Sequence, residues 1–586
     1  MNHPLRRLAL LTAIGGVLGL VGGVAAWALI RLIAIITNAA LLGRWGTKLP
    51  SFAHFHPGPW LVVAAVGGGL IVALLARWAP AIRGHGIPEA MESVLTNESR
   101  IKPRVAVAKP LSAAIAIGTG GPFGAEGPII VTGGAIGSLL GQVLPITPSE
   151  RKILLASGAA AGMSATFGAP LAAVVLAVEL LLFEYSVRAL APLIAASSVA
   201  GAMHYVFFGT RALFAVPNHK FAGLGELPFF VGLGLLCGLL AVLIVRGLFA
   251  FEAGFRSLRV PQFFHPMIGA LGFAAVGFVV PRALGVGYDQ INAALAGKLA
   301  VGTLGALLVG KMIAWWVALA SGTSGGTLAP ILLMASSFGA LVAVGTHDVF
   351  PGLAVSTSAI AVVAMAAVFG AATRAVFTSV LFAFELTRDY RAIVPLMLAA
   401  VVADLVARAL SEHDIMTEKL ARRGLTVPRA YEPDHLHTAR VGDVMSTPAQ
   451  TILSDATVGD ARQRFLANGH GAYPIVDDAG RCVGIVSRTD LLESTDAQDA
   501  PVSDVASTDL VTVGRDESLL AAMQLILDEH VDHLPVVDGD GRLVGICTRT
   551  DILRSRLQRQ EAEQPGDGWW SRWRSSGRAG SAGDGA

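Results

Sequence analysis

The chain has 586 residues, of which 53% are hydrophobic and 15% are charged, and its mean hydropathy is +0.62. A composition this apolar excludes an ordinary water-soluble globule and indicates a membrane protein with the lipid bilayer as its surroundings. The formal net charge of +2 excludes the strong basic field that would attract nucleic acid, so we expect no nucleic-acid partner.

The N-terminal segment predicts a retained membrane helix. Arg6 and Arg7 precede an apolar run that continues to Leu42, far beyond the roughly 7 to 15 apolar residues of a signal-peptide core. The two arginines favour a cytoplasmic N-terminus. We therefore expect an integral membrane protein of a prokaryotic cytoplasmic membrane, with both termini in the cytoplasm.

Residues 1–410 are predicted to form one polytopic helical membrane domain. Apolar segments near the roughly 20 residues that cross a bilayer recur along it, at residues 59–80, 153–182, 228–250 and 393–410. Two further apolar regions, 111–145 and 320–345, are interrupted by GTGGPFGAEGP and SGTSGGTLAP. Glycine and proline at these points predict broken helices.

A weak internal repeat suggests two related halves. The segment APLAAVVLAVEL (169–180) matches AVFTSVLFAFEL (375–386), and EGPI (126–129) matches LAPI (328–331). The matches keep their order, with offsets of 202 and 206 residues. Chance similarity among helices rich in alanine, leucine and valine is the alternative explanation.

Three predicted helices begin directly after a glycine run that is followed by proline: GHGIPEAMESVL (84–95), GPFGAEGPIIVTGG (121–134) and GTSGGTLAPILLM (322–334). Unpaired N–H groups and the positive dipole end of such helices attract anions. Glu126 places a carboxylate inside the second motif. When ionised it would compete with a permeant anion, and when protonated it would leave the site, so we predict that Glu126 is a gate. A glutamate that only caps the first helical turn is the alternative.

From residue 411 the composition becomes charged, and residues 411–435 are interpreted as a linker. Two modules follow at 436–496 and 497–557, because YPIVDDAGRCVGIVSRTDLL recurs 61 residues later as LPVVDGDGRLVGICTRTDIL. Each module predicts a small α/β unit of helix, two short strands and helix. Residues 558–586 are rich in glycine and serine and predict a disordered tail; their tryptophans among arginines could touch a membrane, or the tail could be inert.

The motifs GHGIPEA, GAEGP, FGAPLAAVVLAVEL and GGTLAP resemble the signature segments of the CLC family of chloride channels and proton/anion exchangers. The paired modules resemble CBS (cystathionine-beta-synthase) domains, which form the cytosolic tail of many CLC members. This resemblance implies a homodimer in which each subunit is built from two inverted halves with broken helices. Each subunit would carry its own path for chloride or another small anion.

The resemblance also implies site residues. Residues that match the central anion site, its facing amides and the gate are Gly84, His85, Gly86, Ile87, Pro88, Thr327, Leu328 and Glu126. His85 replaces the serine usual in chloride-selective members and the proline of nitrate-selective ones, which leaves the transported anion open. Its ring could donate a hydrogen bond to the anion, or pack beside the path with only its backbone relevant.

Four further positions depart from the family pattern. Met416 aligns with a tyrosine that closes the family's site from the cytosol, and a thioether cannot donate a hydrogen bond; Leu328 replaces a phenylalanine and Ala125 a basic residue. Leu180 stands where exchangers commonly carry a second glutamate for inner proton transfer. We therefore expect channel-like conduction ahead of the alternative, a coupled proton/chloride antiporter that uses another inner proton route.

The segments GIVSRTD (484–490) and GICTRTD (545–551) resemble the CBS nucleotide motif. By that resemblance Asp490 and Asp551 would accept hydrogen bonds from ribose, while Ser487 and Thr548 would meet phosphate; alternatively these residues only cap helices. Transport is expected to need no cofactor, and ATP, ADP or AMP is the ligand class expected at this pair.

The sequence carries no P-loop, metal-ligand cluster or nucleophile elbow, so we expect neither an enzyme nor a metal site. A more distant alternative is a membrane-anchored adenosine-nucleotide sensor.

Overall fold

The computed structural model describes residues 3–214, 216, 224–352, 355–425, 436, 439–468, 470–494 and 498–563. The chain divides into two compact units, residues 1–431 and residues 432–586. The first is helical and apolar, and the second is a mixed α/β unit.

The first unit consists of two series of helices with the same order. The first half contains α1 (His3–Leu42), α2 (Pro59–Trp78), α3 (Ile87–Thr96), α4 (Pro103–Gly118), α5 (Glu126–Val143), α6 (Pro148–Phe167), α7 (Pro170–Ala177) and α8 (Val187–Phe208). The second half contains α9 (Leu227–Ser257), α10 (His265–Val279), α11 (Tyr288–Leu295), α12 (Val301–Ala320), α13 (Leu328–Val349), α14 (Thr357–Thr373), α15 (Val376–Thr387) and α16 (Ile393–Leu410). A short helix, α17 (Glu418–Ala421), follows.

Seven helices in the described part are long and apolar enough to cross a membrane. They are α1, α2, α8, α9, α12, α13 and α16, and several shorter apolar helices lie between them. The prediction of a polytopic membrane unit with broken helices is therefore confirmed. The apolar segment 153–182 proves to be two helices, because Gly168 takes a left-handed conformation (φ 64°) at the end of α6 and Pro170 begins α7.

Helix packing also repeats between the halves. In the first half α5 packs on α6 and α1 packs on α8, while in the second half α13 packs on α14 and α9 packs on α16. Contacts of α2 with α10 and of α7 with α15 join the two halves. The internal repeat in the sequence thus corresponds to two sets of helices that pack in the same pairs.

Glycines bring the backbones of α5 and α6 into close contact. A Cβ atom added to Gly133 would lie 2.1 Å from the carbonyl oxygen of Gly158, and one added to Gly158 would lie 2.1 Å from the carbonyl oxygen of Gly133. One turn further along, a Cβ on Gly137 would lie 2.1 Å from the carbonyl oxygen of Leu154. The backbones of α5 and α6 are therefore in direct contact, as in other membrane helices that pack through small residues.

Two glutamates exchange helix caps across the boundary between the halves. The backbone N–H and hydroxyl groups of Thr378 donate to Glu179 Oε2 at 3.1 and 2.5 Å, at the start of α15. The amides of Leu171 and Ala172 donate to the two carboxylate oxygens of Glu385 at 2.9 and 2.8 Å, at the start of α7. Each half thus supplies the carboxylate that satisfies orphan amides of the other half.

The first part of the expected linker, residues 411–425, belongs to the membrane unit, which differs from the sequence interpretation. Met416 is fully buried, and the amide of Ile415 donates to the carbonyl of Ala372 at 3.1 Å. Asp414 caps this turn by accepting from the amides of Met416 and Thr417 at 2.7 and 3.1 Å. Apolar Ile415 and Met416 can therefore be buried although polar residues surround them in sequence. Residues 426–435 lie outside the described part.

The second unit contains two copies of one small fold, as the 61-residue repeat predicted. The first copy contains α18 (Val441–Val444), β1 (Ile452–Leu453), α19 (Val458–Asn468), β2 (Ala472–Val476), β3 (Cys482–Ser487) and α20 (Arg488–Glu493). The second contains β4 (Val513–Gly514), α21 (Leu519–Asp528), β5 (His533–Val537), β6 (Leu543–Thr548) and α22 (Arg549–Glu563).

The two copies have the same sheet topology. In each copy the first strand pairs parallel to the second and the second pairs antiparallel to the third. The register also repeats, since Ile475 opposes Gly484 and Val536 opposes Gly545.

Helix α22 continues to Glu563, into the segment that was predicted to be disordered from residue 558. Its arginine, glutamine, glutamate and alanine residues are good helix formers, which explains the extension. The remainder of the predicted tail, with its tryptophans, lies outside the described residues.

Candidate anion and gating site

Three glycine loops from distant parts of the chain meet inside the membrane unit. Gly84 forms a β-bridge with Ser324, and Gly124 forms another with Gly326. In the second bridge the amide of Gly124 donates to the carbonyl of Gly326 at 3.2 Å, and the amide of Gly326 donates back at 2.9 Å. The three motifs singled out in the sequence are therefore brought together.

The loops approach so closely that side chains would not fit between them. A Cβ atom on Gly127 would lie 2.3 Å from the carbonyl oxygen of His85 and 3.0 Å from the Cα of Gly326. Gly84 and Gly86 have φ values of 89° and 99°, which L-residues with side chains rarely adopt. Helices α3, α5 and α13 begin at this junction, so unpaired N–H groups of three first turns surround it.

The predicted anion-site residues line this junction and are buried. Gly84, His85, Gly86, Ile87, Pro88, Thr327 and Leu328 are all buried. Thr327 precedes α13 and Leu328 is its first residue, so both amides belong to the unpaired first turn of that helix.

Glu126 lies at the centre of the junction with no solvent exposure. Its Oε1 accepts a hydrogen bond from the Tyr288 hydroxyl at 2.6 Å, and Oε2 is buried without a hydrogen bond of ordinary geometry to any described residue. A Cβ on Gly124 would lie only 1.6 Å from Oε2, and one on Gly326 would lie 3.0 Å from it. The carboxylate is therefore folded back over the glycine loops, at the position where the helix starts would receive an anion.

His85 faces the segment that carries Met416. Its Nε2 lies 3.2 Å from the carbonyl oxygen of Ile415, while Nδ1 is buried without a partner among the described residues. Because a carbonyl can only accept, Nε2 carries the hydrogen and a neutral ring presents a lone pair at Nδ1. The one N–H group of the neutral ring is thus used by Ile415, which favours backbone groups of the motif as the donors to an anion.

Two buried lysines hold corresponding loops of the two halves, and sequence reasoning missed both. Lys109 Nζ donates to the carbonyls of Ile82 and Gly84 at 2.8 and 2.7 Å. Lys311, 202 residues later, donates to the carbonyls of Ala283 and Gly285 at 3.0 and 2.6 Å. This spacing of 202 residues equals an offset of the internal repeat. Comparing the two halves at that offset could therefore have revealed the pair of lysines.

Leu180 is buried in a π-helical turn, Val178–Leu182, that extends α7. The neighbouring carboxylate of Glu179 is engaged as the cap of α15. The position where exchangers of the resembled family commonly carry an inner glutamate thus holds a buried apolar side chain.

In the second unit the predicted nucleotide residues form two helix capping boxes. Asp490 Oδ2 accepts from the amide of Ser487 at 2.7 Å and the amide of Asp490 donates to the Ser487 hydroxyl at 3.3 Å. Thr548 and Asp551 repeat the arrangement, with distances of 3.0 and 3.2 Å. Both pairs cap the helices that follow them. Among the described residues no cluster of His, Cys, Asp and Glu suits a metal ion.

The sequence of this chain matches two known protein-family models. Residues 67–408, more than half of the chain, match the family model described as voltage gated chloride channel. Residues 441–496 and 502–557 each match the CBS domain model.

The "H(+)/Cl(-) exchange transporter ClcA" of Vibrio campbellii is 30% identical over 374 residues, which cover 62% of this chain and 80% of that protein. "Chloride channel protein CLC-f" of Arabidopsis thaliana is 26% identical over 524 residues, covering 84% of this chain and 62% of that protein.

Among solved structures, a slow cyanobacterial Cl-/H+ antiporter superposes with a TM-score of 0.62 at 29% identity. The match covers 72% of this chain and 99% of the antiporter. The chain therefore belongs to the CLC family of anion-transporting membrane proteins and carries a tandem pair of CBS domains.

Proposed function

We propose that this protein exchanges protons for chloride or another small anion across a membrane, with Glu126 as the group that carries the proton. The observation on which this rests is the Glu126 carboxylate, buried where three helix N-termini meet. The names of relatives support the coupled reaction, because the ClcA relative is an H(+)/Cl(-) exchange transporter and the structural neighbour is a Cl-/H+ antiporter.

In the proposed mechanism the Glu126 carboxylate and the transported anion compete for the same backbone amides. An ionised Glu126 carboxylate occupies the junction and excludes chloride. Protonation removes its charge, so the side chain swings away and the amides around Gly84–Pro88, Thr327 and Leu328 receive the anion. Backbone dipoles bind an anion without a full positive charge, so the anion can also leave.

Channel-like conduction, which the sequence favoured, is the second candidate. It is supported by Leu180, whose buried apolar side chain cannot relay a proton. In the coupled mechanism protons would reach Glu126 from the inner side along water rather than along a second carboxylate. The ClcA exchange transporter and the antiporter structure support exchange, whereas CLC-f is named a chloride channel.

Membrane context and assembly extend the proposal. We place the N- and C-termini in the cytoplasm of a prokaryote, in line with Arg6 and Arg7. We also propose a homodimer with one anion path per subunit.

The decisive experiment measures chloride efflux and proton uptake together in liposomes with an imposed chloride gradient. Wild-type protein should drive protons against their own gradient, and Glu126→Gln should abolish proton uptake while chloride still moves. Glu184→Gln, a half-exposed glutamate of the same half, is the matched control and should leave both fluxes unchanged. Chloride flux without proton uptake in the wild-type protein would establish a channel instead.

A nucleotide at the CBS pair is a separate proposal. Ser487, Asp490, Thr548 and Asp551 would contact ATP, ADP or AMP, which requires their capping hydrogen bonds to be shared with the ligand. Calorimetric titration of the full-length protein with each nucleotide tests this, with Asp490→Asn and Asp551→Asn as the variants that should weaken binding. If no nucleotide binds, the pairs are helix caps only, and the alternative of an anchored nucleotide sensor fails as well.

A further inference from the structure

We propose that Tyr288 is the positioning residue that holds the ionised Glu126 carboxylate in the anion site from the outer side, so that chloride must displace it. This inference rests on the proposed role of Glu126. It adds a group that sets how strongly the gate competes with the transported anion.

The contact itself is short and specific. The Tyr288 hydroxyl donates to Glu126 Oε1 at 2.6 Å, across 162 residues of sequence. A hydrogen bond to a charged acceptor is stronger than one between neutral groups, particularly where water is excluded. A protonated carboxyl group could also accept this bond at its carbonyl oxygen, but the bond to the charged carboxylate is stronger, so the phenol favours the ionised, site-occupying form.

Packing fixes the phenol in this orientation. The ring of Tyr288 contacts Phe167 and Phe214 edge-on, with ring centroids 6.4 and 6.1 Å apart. The preceding residue, Gly287, has a φ of 87°, and Lys311 holds the same loop by its carbonyls. Tyr288 therefore does not depend on Glu126 for its position.

The repeat explains why a tyrosine can reach the gate. The loop GVGYD (285–289) of the second half corresponds to GHGIP (84–88) of the first half, 201 residues earlier. Both loops have two glycines with positive φ and one lysine that holds them. The first loop thus contributes to the anion site, and its counterpart approaches the same carboxylate with a hydroxyl group.

A cavity of about 240 Å³ leads to this loop, and its lining includes Tyr288, Asp289, Ser51 and Phe52. Ser51 belongs to the connection between α1 and α2. If the N-terminus is cytoplasmic, α1 places that connection on the outer side of the membrane. The cavity is then the outer approach to Glu126, and the Tyr288 hydroxyl lies between the approach and the gate.

The test is a double-mutant cycle of Tyr288→Phe with Glu126→Gln, using full-length protein and chloride as the titrated ligand. Phenylalanine keeps the ring contacts with Phe167 and Phe214 and removes only the hydroxyl. Losing a hydrogen bond to a charged group should make apparent chloride binding about tenfold tighter. In the Glu126→Gln background, Tyr288→Phe should have no further effect.

Tyr390→Phe, which removes the hydroxyl of an exposed tyrosine, is the matched control and should leave chloride binding unchanged. Tyr288→Leu removes the same hydroxyl and serves as a second variant if Tyr288→Phe does not fold. Size-exclusion chromatography in detergent establishes which variants are folded.

The outcomes distinguish the proposed role of Tyr288 from the proposed role of Glu126. If Glu126→Gln changes chloride binding but Tyr288→Phe does not, the role of Tyr288 is overturned while the gate stands. An equal effect of Tyr288→Phe in both backgrounds also overturns it, because the hydroxyl would then act on the site without Glu126. If Glu126→Gln itself leaves chloride binding and flux unchanged, the proposed function fails first.

Discussion

The two halves of the membrane unit have the same order of helices but differ in the residues that begin corresponding helices. Lys109 and Lys311 hold equivalent loops in the same way, each with one ammonium group on two carbonyls. The helices that follow the breaks start with different residues, Glu126 on α5 and Leu328 on α13. The two halves thus bring similar helix starts to the junction, and the proposed gate and the proposed anion site differ in the residue that begins each helix.

Gly326→Ala should have the largest effect. Its Cβ would lie 2.6 Å from the carbonyl oxygen of Gly124 and 2.9 Å from the amide nitrogen of Gly127, and backbone atoms cannot yield without separating the loops. We expect loss of chloride efflux from liposomes. Gly345→Ala on the same helix, where the added Cβ meets nothing within 4 Å, should retain full flux. A fully active Gly326→Ala protein would show that the halves need not touch here.

Lys109→Met and Lys311→Met should destabilise the protein by similar amounts. Each change leaves two buried carbonyls without a donor, at a cost of roughly 2–4 kcal/mol. The midpoint of thermal unfolding in detergent measures this, with the partly exposed Lys152→Met as control. Tolerance of one substitution and not the other would contradict the equivalence of the two loops.

Gly124→Ala changes the other glycine of the same β-bridge. It should preserve chloride flux, whereas Gly326→Ala should abolish it. The nearest atoms to its added Cβ all belong to the Glu126 carboxyl group, which is the end of a flexible side chain. We expect the carboxylate to be pushed out of the site, so that chloride flux and loss of proton coupling match those of Glu126→Gln. Unchanged coupling would mean that the carboxylate has another resting place.

Glu179→Gln and Glu385→Gln should have the smallest effects and equal ones. Each removes a charge from a partly buried helix start, which is worth about 0.5–1 kcal/mol, and the amide keeps one acceptor oxygen. Unfolding midpoints in detergent compare the two variants with wild type. A much larger loss for one of them would show that the two caps are not equivalent.

The parts of the site that were predictable are those with a local sequence pattern. Glycine and proline punctuation indicated the three helix starts and Glu126, and the offset of 202 residues indicated the two halves. Buried Lys109 and Lys311 have no local pattern, because a lysine in an apolar helix does not reveal the carbonyls it meets. The contact of Tyr288 with Glu126 depends on tertiary packing alone.

Composition misled the sequence interpretation at the end of the membrane unit. Polar residues around 411–425 suggested a linker, yet Asp414 uses its carboxylate to cap a turn that buries Ile415 and Met416. A polar side chain that satisfies backbone groups is indistinguishable, by composition, from one that faces water.

The direct backbone contact of Gly133 with Gly158 bears on how quickly the proposed gate, Glu126, can open. Helix α5 has no side-chain layer on which to slide over α6, so displacing it as a rigid body would break many contacts and belongs to the microsecond-to-millisecond range. Rotation of a single side chain takes picoseconds to nanoseconds when its surroundings permit. We therefore expect the proposed gate to open by rotation of the Glu126 side chain alone. Its rate would be set by breaking the hydrogen bond and by proton arrival, with little change in the shape of the protein.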